Sequence, residues 1–353
     1  MAELSRVRQT RRKARTKRRR RWKLVFLSFL STCFLFASAA LFFLFATDTG
    51  TTLREWVAGT LLTTQHDYLA RYTFLPEEKL RELKREISYP TVVNSAAAEQ
   101  RKQQEWTDTQ DPPPQPEKPR ELVEVKPVEV DRGTYYFRGK MMLISDPNRV
   151  HLLVTKRTER GDLLDEFAKQ YKTLGIVNAS GFYDPDGYAK GQRASGLLIH
   201  DGVLLQEYDP RTGETALGLT YDGKLITGSY TGKQLLAMGV RDAMSFRPQL
   251  IVDGKNLFAG KPAQSWGIQP RTAIGQKADG TIVFLVIDGR QPNHSIGASM
   301  NDVADVLERE GVVTAMAMDG GSSSMMLENE EPITRTACPY PRGRFLPNAW
   351  AVY

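Results

Sequence analysis

From Leu24 to Ala46 the chain reads LVFLSFLSTCFLFASAALFFLFA, 23 residues without a charged side chain. As a helix this stretch is about 35 Å long, enough to cross a hydrocarbon core of roughly 30 Å. The 23 residues before it hold twelve Lys and Arg against one acid, Glu3. Such basic flanks stay on the cytoplasmic side of a membrane. The pattern predicts a single-pass anchor, N-terminus cytoplasmic, with membrane lipid as the partner of Leu24–Ala46. A cleaved signal peptide is the rival reading, because Ala37-Ser38-Ala39 fits a small-residue cleavage site. The apolar run continues from Ala40 to Ala46 beyond that site, which favours an uncleaved anchor. Either way, residues 47–353 are exported.

The anchor changes the meaning of the charge. The chain carries +7, but the basic arm over residues 1–23 holds +11, so the remainder is mildly acidic at −4. A basic domain would point to nucleic acid; a basic arm beside a membrane span does not, and no nucleic-acid partner is expected. The two cysteines, Cys33 in the span and Cys338 near the end, form no plausible disulfide. An exported domain without disulfides fits a bacterial cell-envelope protein.

Residues 47–93 carry apolar residues at helical spacing, Leu53, Trp56, Val57 and Leu61, then Leu80, Leu83 and Ile87. They predict a helical stalk, able to join two copies as a homodimer; the plainer alternative is helices packed on their own domain. Residues 94–122, polar and Pro-rich towards the end, predict an extended linker. From Val123 to Tyr353 short apolar runs alternate with Asp-Gly turns at Asp201, Asp222, Asp253 and Asp279, the pattern of hairpins. Helical periodicity stands out at 161–175 and at 299–311, the latter opened by Ser299 and stopped by Gly311. The predicted class is α+β: a strand-rich mixed sheet domain with a few helices, preceded by one transmembrane helix and a helical stalk.

Polar chemistry gathers where apolar runs end: NASGFYD at 178–184, PRTAIG at 270–275, VIDGRQPN at 286–293, MDGGSSS at 318–324 and FLPNAWAV at 345–352. Each alone has an ordinary explanation as a turn. Ser322, Ser323 and Ser324 lack the G-x-S-x-G frame of a hydrolase nucleophile. The stretch around Lys233 has the wrong spacing for a phosphate-binding P-loop, and zinc spacings are absent. No cofactor is predicted; a bound divalent cation is left open. The serines read as hydrogen-bonding groups on a turn whose backbone N–H groups could accept an anion.

In this order, the five motifs resemble the phosphodiester glycosidase domain family. The resemblance covers roughly Val123–Tyr353. The family's Asn-Gly-Gly-Phe-Phe is represented by Asn178, Gly181 and Phe182 with altered spacing. Its Arg-Thr-Ala-Ile-Gly is Arg271–Gly275, its Asp-Gly-Arg is Asp288–Arg290, and its closing Pro-Asn-Ala is Pro347–Ala349. Its Asp-Gly-Gly-Gly-Ser-Ser is represented from Asp319, with Ser322 where a third glycine is usual. The departures at Ala179/Ser180 and Ser322 bear on pocket shape, since a serine restricts backbone that glycine leaves free.

The resemblance implies hydrolysis of a sugar-1-phosphodiester between anomeric carbon and phosphate oxygen. The residue types suit that chemistry. Arg271 and Arg290 would hold the phosphate oxygens. Asp288 and Asp319 form the carboxylate pair that would stabilise the oxocarbenium and activate water or attack directly, although one of them could be structural. Asn178, Gly181, Thr272, Gly320, Gly321, Ser322, Ser323 and Asn348 would contact substrate. Two other readings stay open: a non-catalytic phosphoglycan-binding protein, and a serine acyl hydrolase in which His294 would have to reach the serine turn.

Overall fold

The computed structural model describes residues 2–64, 66–102, 121–184, 188–261 and 266–353. Helix α1 (Ala2–Ala46) contains Trp22–Ala46, a segment long and apolar enough to cross a membrane, with none of it buried against the rest of the chain. Then follow α2 (Asp48–Leu62), opened by the Thr47 hydroxyl accepting from the Gly50 amide at 3.0 Å, α3 (Glu77–Ser88) and α4 (Ala96–Lys102).

These helices lie along the following domain. Leu80 and Leu83 pack with Ala58, Leu62 and Leu75 in a small cluster, so the apolar stripe is used within the chain. Trp56 of α2 meets the ring of Tyr135 edge-on at 5.6 Å. The first part of the expected linker is also docked. Ser95 donates its amide to Thr227 at 2.9 Å, Asn94 accepts from the Ser229 amide at 2.9 Å, and Ala98 is fully buried. Short polar side chains that cap exposed strand groups explain why 94–102 is ordered despite its composition. The Pro-rich part of the expected linker, 103–120, lies outside the described residues.

Among the described residues three sheets build the domain, and every pairing between named strands is antiparallel. The first has seven strands in the order β1 (Val123–Asp131), β2 (Tyr136–Ile144), β13 (Ile282–Ile287), β12 (Arg271–Lys277), β14 (Val312–Ala317), β10 (Gln249–Val252), β11 (Lys255–Asn256). The second runs β16 (Glu331–Pro332), β15 (Met326–Glu328), β4 (Gly175–Asn178), β17 (Asn348–Val352), β3 (Val150–Val154). The third runs β6 (Val203–Gln206), β5 (Leu198–His200), β9 (Val240–Ser245), β7 (Glu214–Thr220), β8 (Leu225–Tyr230).

Period-two alternation distributes the core. In β13, Ile282, Phe284 and Val286 enter a central cluster shared by all three sheets, whereas Val283, Leu285 and Ile287 face α7 (Met300–Arg309) with Val303 and Leu307. The outer face of the second sheet is covered by α5 (Leu164–Tyr171) through Phe167, and that of the third by α6 (Gly232–Ala237) and α4 through Leu235 and Ala98. β13 is buried on both faces, which accounts for its unbroken apolar run. The predicted helix 299–311 is α7, with Ser299 and Asp302 in a reciprocal capping box.

Candidate active site

The five motifs converge because of sheet topology. β12 lies between β13 and β14, with Arg271 opposite Ile287 and Ala273 opposite Ala317, so the start of one strand meets the ends of its two neighbours. In the second sheet Asn178, ending β4, is opposite Ala349 at the start of β17. Beyond β14, Met318 donates its amide to the Thr272 carbonyl at 2.8 Å within the first sheet, and Asp319 donates its amide across to the Ala179 carbonyl, next to β4, at 2.9 Å.

Several of the expected substrate contacts hold this junction together. Asn178 is fully buried; its amide donates to the Asp319 carbonyl at 2.6 Å and its oxygen accepts from the Thr272 hydroxyl at 2.7 Å and the Met325 amide at 3.2 Å. Arg271 is likewise buried. Its Nε donates to the Ala298 carbonyl at 3.0 Å and its Nη2 to the carbonyls of Trp266 and Gly267 at 2.6 and 2.9 Å. Burial first, and the charge of Arg290 second, hold its pKa below the usual guanidinium range. Asn178, Thr272 and Arg271 thus shape the site from behind. Gly181 sits beside Phe246, which an added Cβ would meet at 3.3 Å.

The carboxylates have different surroundings. Asp288 Oδ2 is 2.7 Å from His294 Nε2, and Oδ1 accepts the Arg335 amide at 2.9 Å. Burial raises its pKa; the His294 contact and the Arg335 amide oppose the rise. Asp319 is partly exposed at the end of β14. Burial raises its pKa also, opposed by the Ser323 hydroxyl and by the charge of Arg344. His294 is therefore engaged with Asp288, and the hydroxyl of Ser322 faces Arg290 Nη1 at 3.4 Å.

Arg290 reaches the surface from a left-handed backbone with φ of 59°. Its Nη2 donates to Gln269 Oε1 at 2.9 Å, and among the described residues it makes no ion pair with a carboxylate. Gly321, also left-handed, lies under this guanidinium; a Cβ there would be 3.1 Å from Nη2. Within the 320–324 turn the amides of Gly321, Ser323 and Ser324 donate to Pro270, Gly320 and Gly321 carbonyls. Three amides of the expected backbone anion cradle are thus already engaged. The Ser323 hydroxyl is turned to Asp319, and the buried hydroxyl of Ser324 and the buried Nδ2 of Asn348 have no hydrogen-bond partner among the described residues. Asn348 is oriented by Ser180, whose amide and hydroxyl both donate to its Oδ1 at 2.9 and 2.8 Å. The Ser180 departure thus has a job in the site.

Sequence reasoning missed Arg344, whose guanidinium stacks over Phe182 at 4.7 Å. It lies in an irregular segment just before β17, where no periodicity distinguishes it from neighbouring Arg342. It also missed Gln269, buried between Arg290 and α2; its place one residue before the Pro270–Gly275 motif was the only signal.

Comparison with known proteins fits this geometry. The phosphodiester glycosidase family model matches residues 171–353. The SPbeta prophage-derived uncharacterized protein YomE of Bacillus subtilis (strain 168) is 30% identical over 190 residues, which is 51% of this chain and 27% of that protein. The chain thus spans little more than a quarter of that relative. Among solved structures, the catalytic domain of zebrafish N-acetylglucosamine-1-phosphodiester alpha-N-acetylglucosaminidase, auto-inhibited by its pro-peptide, aligns with a TM-score of 0.56 and 20% identity. The alignment covers 66% of this chain and 84% of that one, a likeness of fold. A protein of undefined function from Synechocystis aligns at a TM-score of 0.49 and 15% identity, covering 65% of this chain and 62% of that one. With slightly more than half its length matched by the family model, and with the five motifs at one junction of two sheets, this chain belongs to the phosphodiester glycosidase family.

Proposed function

We propose that the protein is a membrane-anchored, extracytoplasmic glycosidase that hydrolyses a sugar-1-phosphodiester in a cell-envelope or extracellular glycan. The observation that carries this reading is one partly exposed carboxylate, Asp319, under the charge of Arg344, whose charge acts in turn on Arg290; for neither guanidinium is a carboxylate hydrogen bond or ion pair found among the described residues. Buried polar atoms without partners are costly and rare in folded proteins. The Ser324 and Asn348 atoms at this junction fit donors that a ligand satisfies.

In this reading Arg290 and Arg344 take the non-bridging phosphate oxygens. They neutralise the repulsion that Asp319 would otherwise exert on an anion and stabilise the charge of the departing phosphomonoester. The bond between anomeric carbon and bridging oxygen breaks, and its electron pair leaves with the phosphate. Asp319, ionised, stabilises the positive charge on the sugar. A water oxygen then bonds to the anomeric carbon and releases its proton, leaving a free sugar and a phosphomonoester. Asp288, with both oxygens engaged, serves to position the Arg335 and His294 segments rather than to touch substrate.

A phosphoglycan-binding protein without turnover is the second reading, favoured by Ser322, whose hydroxyl shares Arg290 with any ligand. Sugar release from a panel of sugar-1-phosphodiesters, measured on wild type beside Asp319→Asn and Arg290→Ala, separates the two. Turnover that is lost in folded variants supports the glycosidase. Phosphoglycan binding without turnover supports the alternative.

A further inference from the structure

Helix α2, the first element after the candidate span, reaches the rim of the site. Thr60 Oγ1 accepts from the Ile268 amide at 3.2 Å, and the Gly267 backbone lies so close to Thr60 that any Cβ there would collide with it. Gln269 Nε2 donates to the Thr60 carbonyl at 3.3 Å and to the Thr63 hydroxyl. A backbone carbonyl can only accept, so the Gln269 amide is fixed with its nitrogen towards α2 and its oxygen towards Arg290. That oxygen is the one that accepts from Arg290 Nη2 at 2.9 Å. On the other side of the 266–269 segment, Arg271 binds the carbonyls of Trp266 and Gly267. The segment is held between α2 and the two arginines of the site.

We propose that α2 is a working part of the site: Thr63 and Thr60 orient Gln269, and Gln269 as a positioning residue aims the Arg290 guanidinium at the anionic group of the substrate. This rests on the anion-binding reading of Arg290. The left-handed backbone of Arg290 turns its side chain out from the strand end, where an exposed arginine samples many rotamers. One oriented acceptor at Nη2 removes much of that freedom before ligand arrives, leaving the rest of the planar fork to meet an oxyanion.

The test is calorimetric titration of the full chain in detergent micelles with inorganic phosphate, using wild type, Thr63→Val, Gln269→Leu, the double variant and Arg290→Ala. Near-UV circular dichroism checks the fold of each. Arg290→Ala should weaken binding the most, and Thr63→Val and Gln269→Leu by roughly tenfold each, as for a lost hydrogen bond to a charged group. The double variant should be no weaker than Gln269→Leu alone, because Thr63 acts through Gln269. Gln269→Glu, which keeps the length and places a carboxylate against Arg290, should weaken phosphate binding as well. If Arg290→Ala weakens binding while Thr63→Val and Gln269→Leu match wild type, the positioning role is overturned and the anion site stands. Additive losses in the double variant overturn it too. Absence of phosphate binding in wild type, or no effect of Arg290→Ala, overturns the anion reading and this one with it.

Discussion

The guanidinium of Arg344 lies 4.7 Å above the ring of Phe182, and its charge acts on both Asp319 and Arg290. A cation stacked on an aromatic face keeps its in-plane N–H donors free for an oxyanion. Arg344→Ala is expected to lower kcat/KM on a cleaved sugar-1-phosphodiester by about 100-fold, an effect of roughly 3 kcal/mol for a charge-assisted pair. Phe182→Leu should give a smaller loss. Steady-state kinetics of the two variants check the order.

Asp319 and Asp288 should part company on substitution. Asp319→Asn is expected to cut kcat by at least about a thousandfold with little change in thermal midpoint, if the carboxylate acts only in the transition state. Asp288→Asn removes an acceptor from a buried pair with His294 and the Arg335 amide, at a cost of about 1–3 kcal/mol. Its midpoint should fall by several degrees. Equal kinetic losses with unchanged melting in both would return Asp288 to the reacting pair.

Gly321 combines φ of 61° with a Cβ direction aimed at Arg290 Nη2, 3.1 Å away. Gly321→Ala is expected to cost about 1–2 kcal/mol in backbone conformation alone. It should also displace the Arg290 guanidinium, raising KM more than it lowers kcat. Chemical denaturation and kinetics on one preparation separate the two effects.

If Asp319 works as proposed, the acidic limb of a pH–rate profile is expected to report it. Burial raises its pKa, so an activity that needs the carboxylate fades as pH falls through a value above the usual 3.8 for aspartate. Arg344 opposes that rise; Arg344→Ala should therefore shift the limb to still higher pH. A limb unmoved by the substitution would separate the two groups electrostatically.

A second pH effect concerns stability and lies in the third sheet, between β5 and β9. The contact of His200 with Asp242, 3.3 Å from Nδ1, raises the pKa of His200 above its ordinary 6.5, against burial. Its contribution to stability is whole below 6.5 and is lost as pH rises through the higher folded value. Neighbouring His151 shifts the other way, lowered by burial and by Arg241. Wild type and His200→Gln should therefore be compared at each pH: the deficit of the variant should be larger at pH 5.5 than at pH 8.5 in urea midpoints.

Much of the fold was legible because burial writes itself into period and punctuation. The Ser299–Gly311 helix had its cap, stripe and stop, and the Asp-Gly hairpins had their turns. What the sequence could not convey was function within a motif. Arg271 and Arg290 look alike as residues, yet one is engaged by three backbone carbonyls and the other faces solvent. Asn178 and Asn348 sit on paired strands of one sheet, but only Asn348 retains an unpartnered nitrogen. Such distinctions depend on what comes across from other strands. The 94–102 segment was misleading for the same reason: its polar residues read as linker until the open groups of β8 are there to be capped.

Only Thr47 separates the end of α1 from the start of α2, and α2 meets the rim of the site at Thr60. At 1.5 Å per residue, that run is about 20 Å long. In the proposed anchored arrangement, this makes the protein a fixed-height tool rather than one on a leash. A substrate of the proposed kind would then have to present its scissile bond within a short reach of the bilayer, and glycans still close to the membrane would be the expected targets.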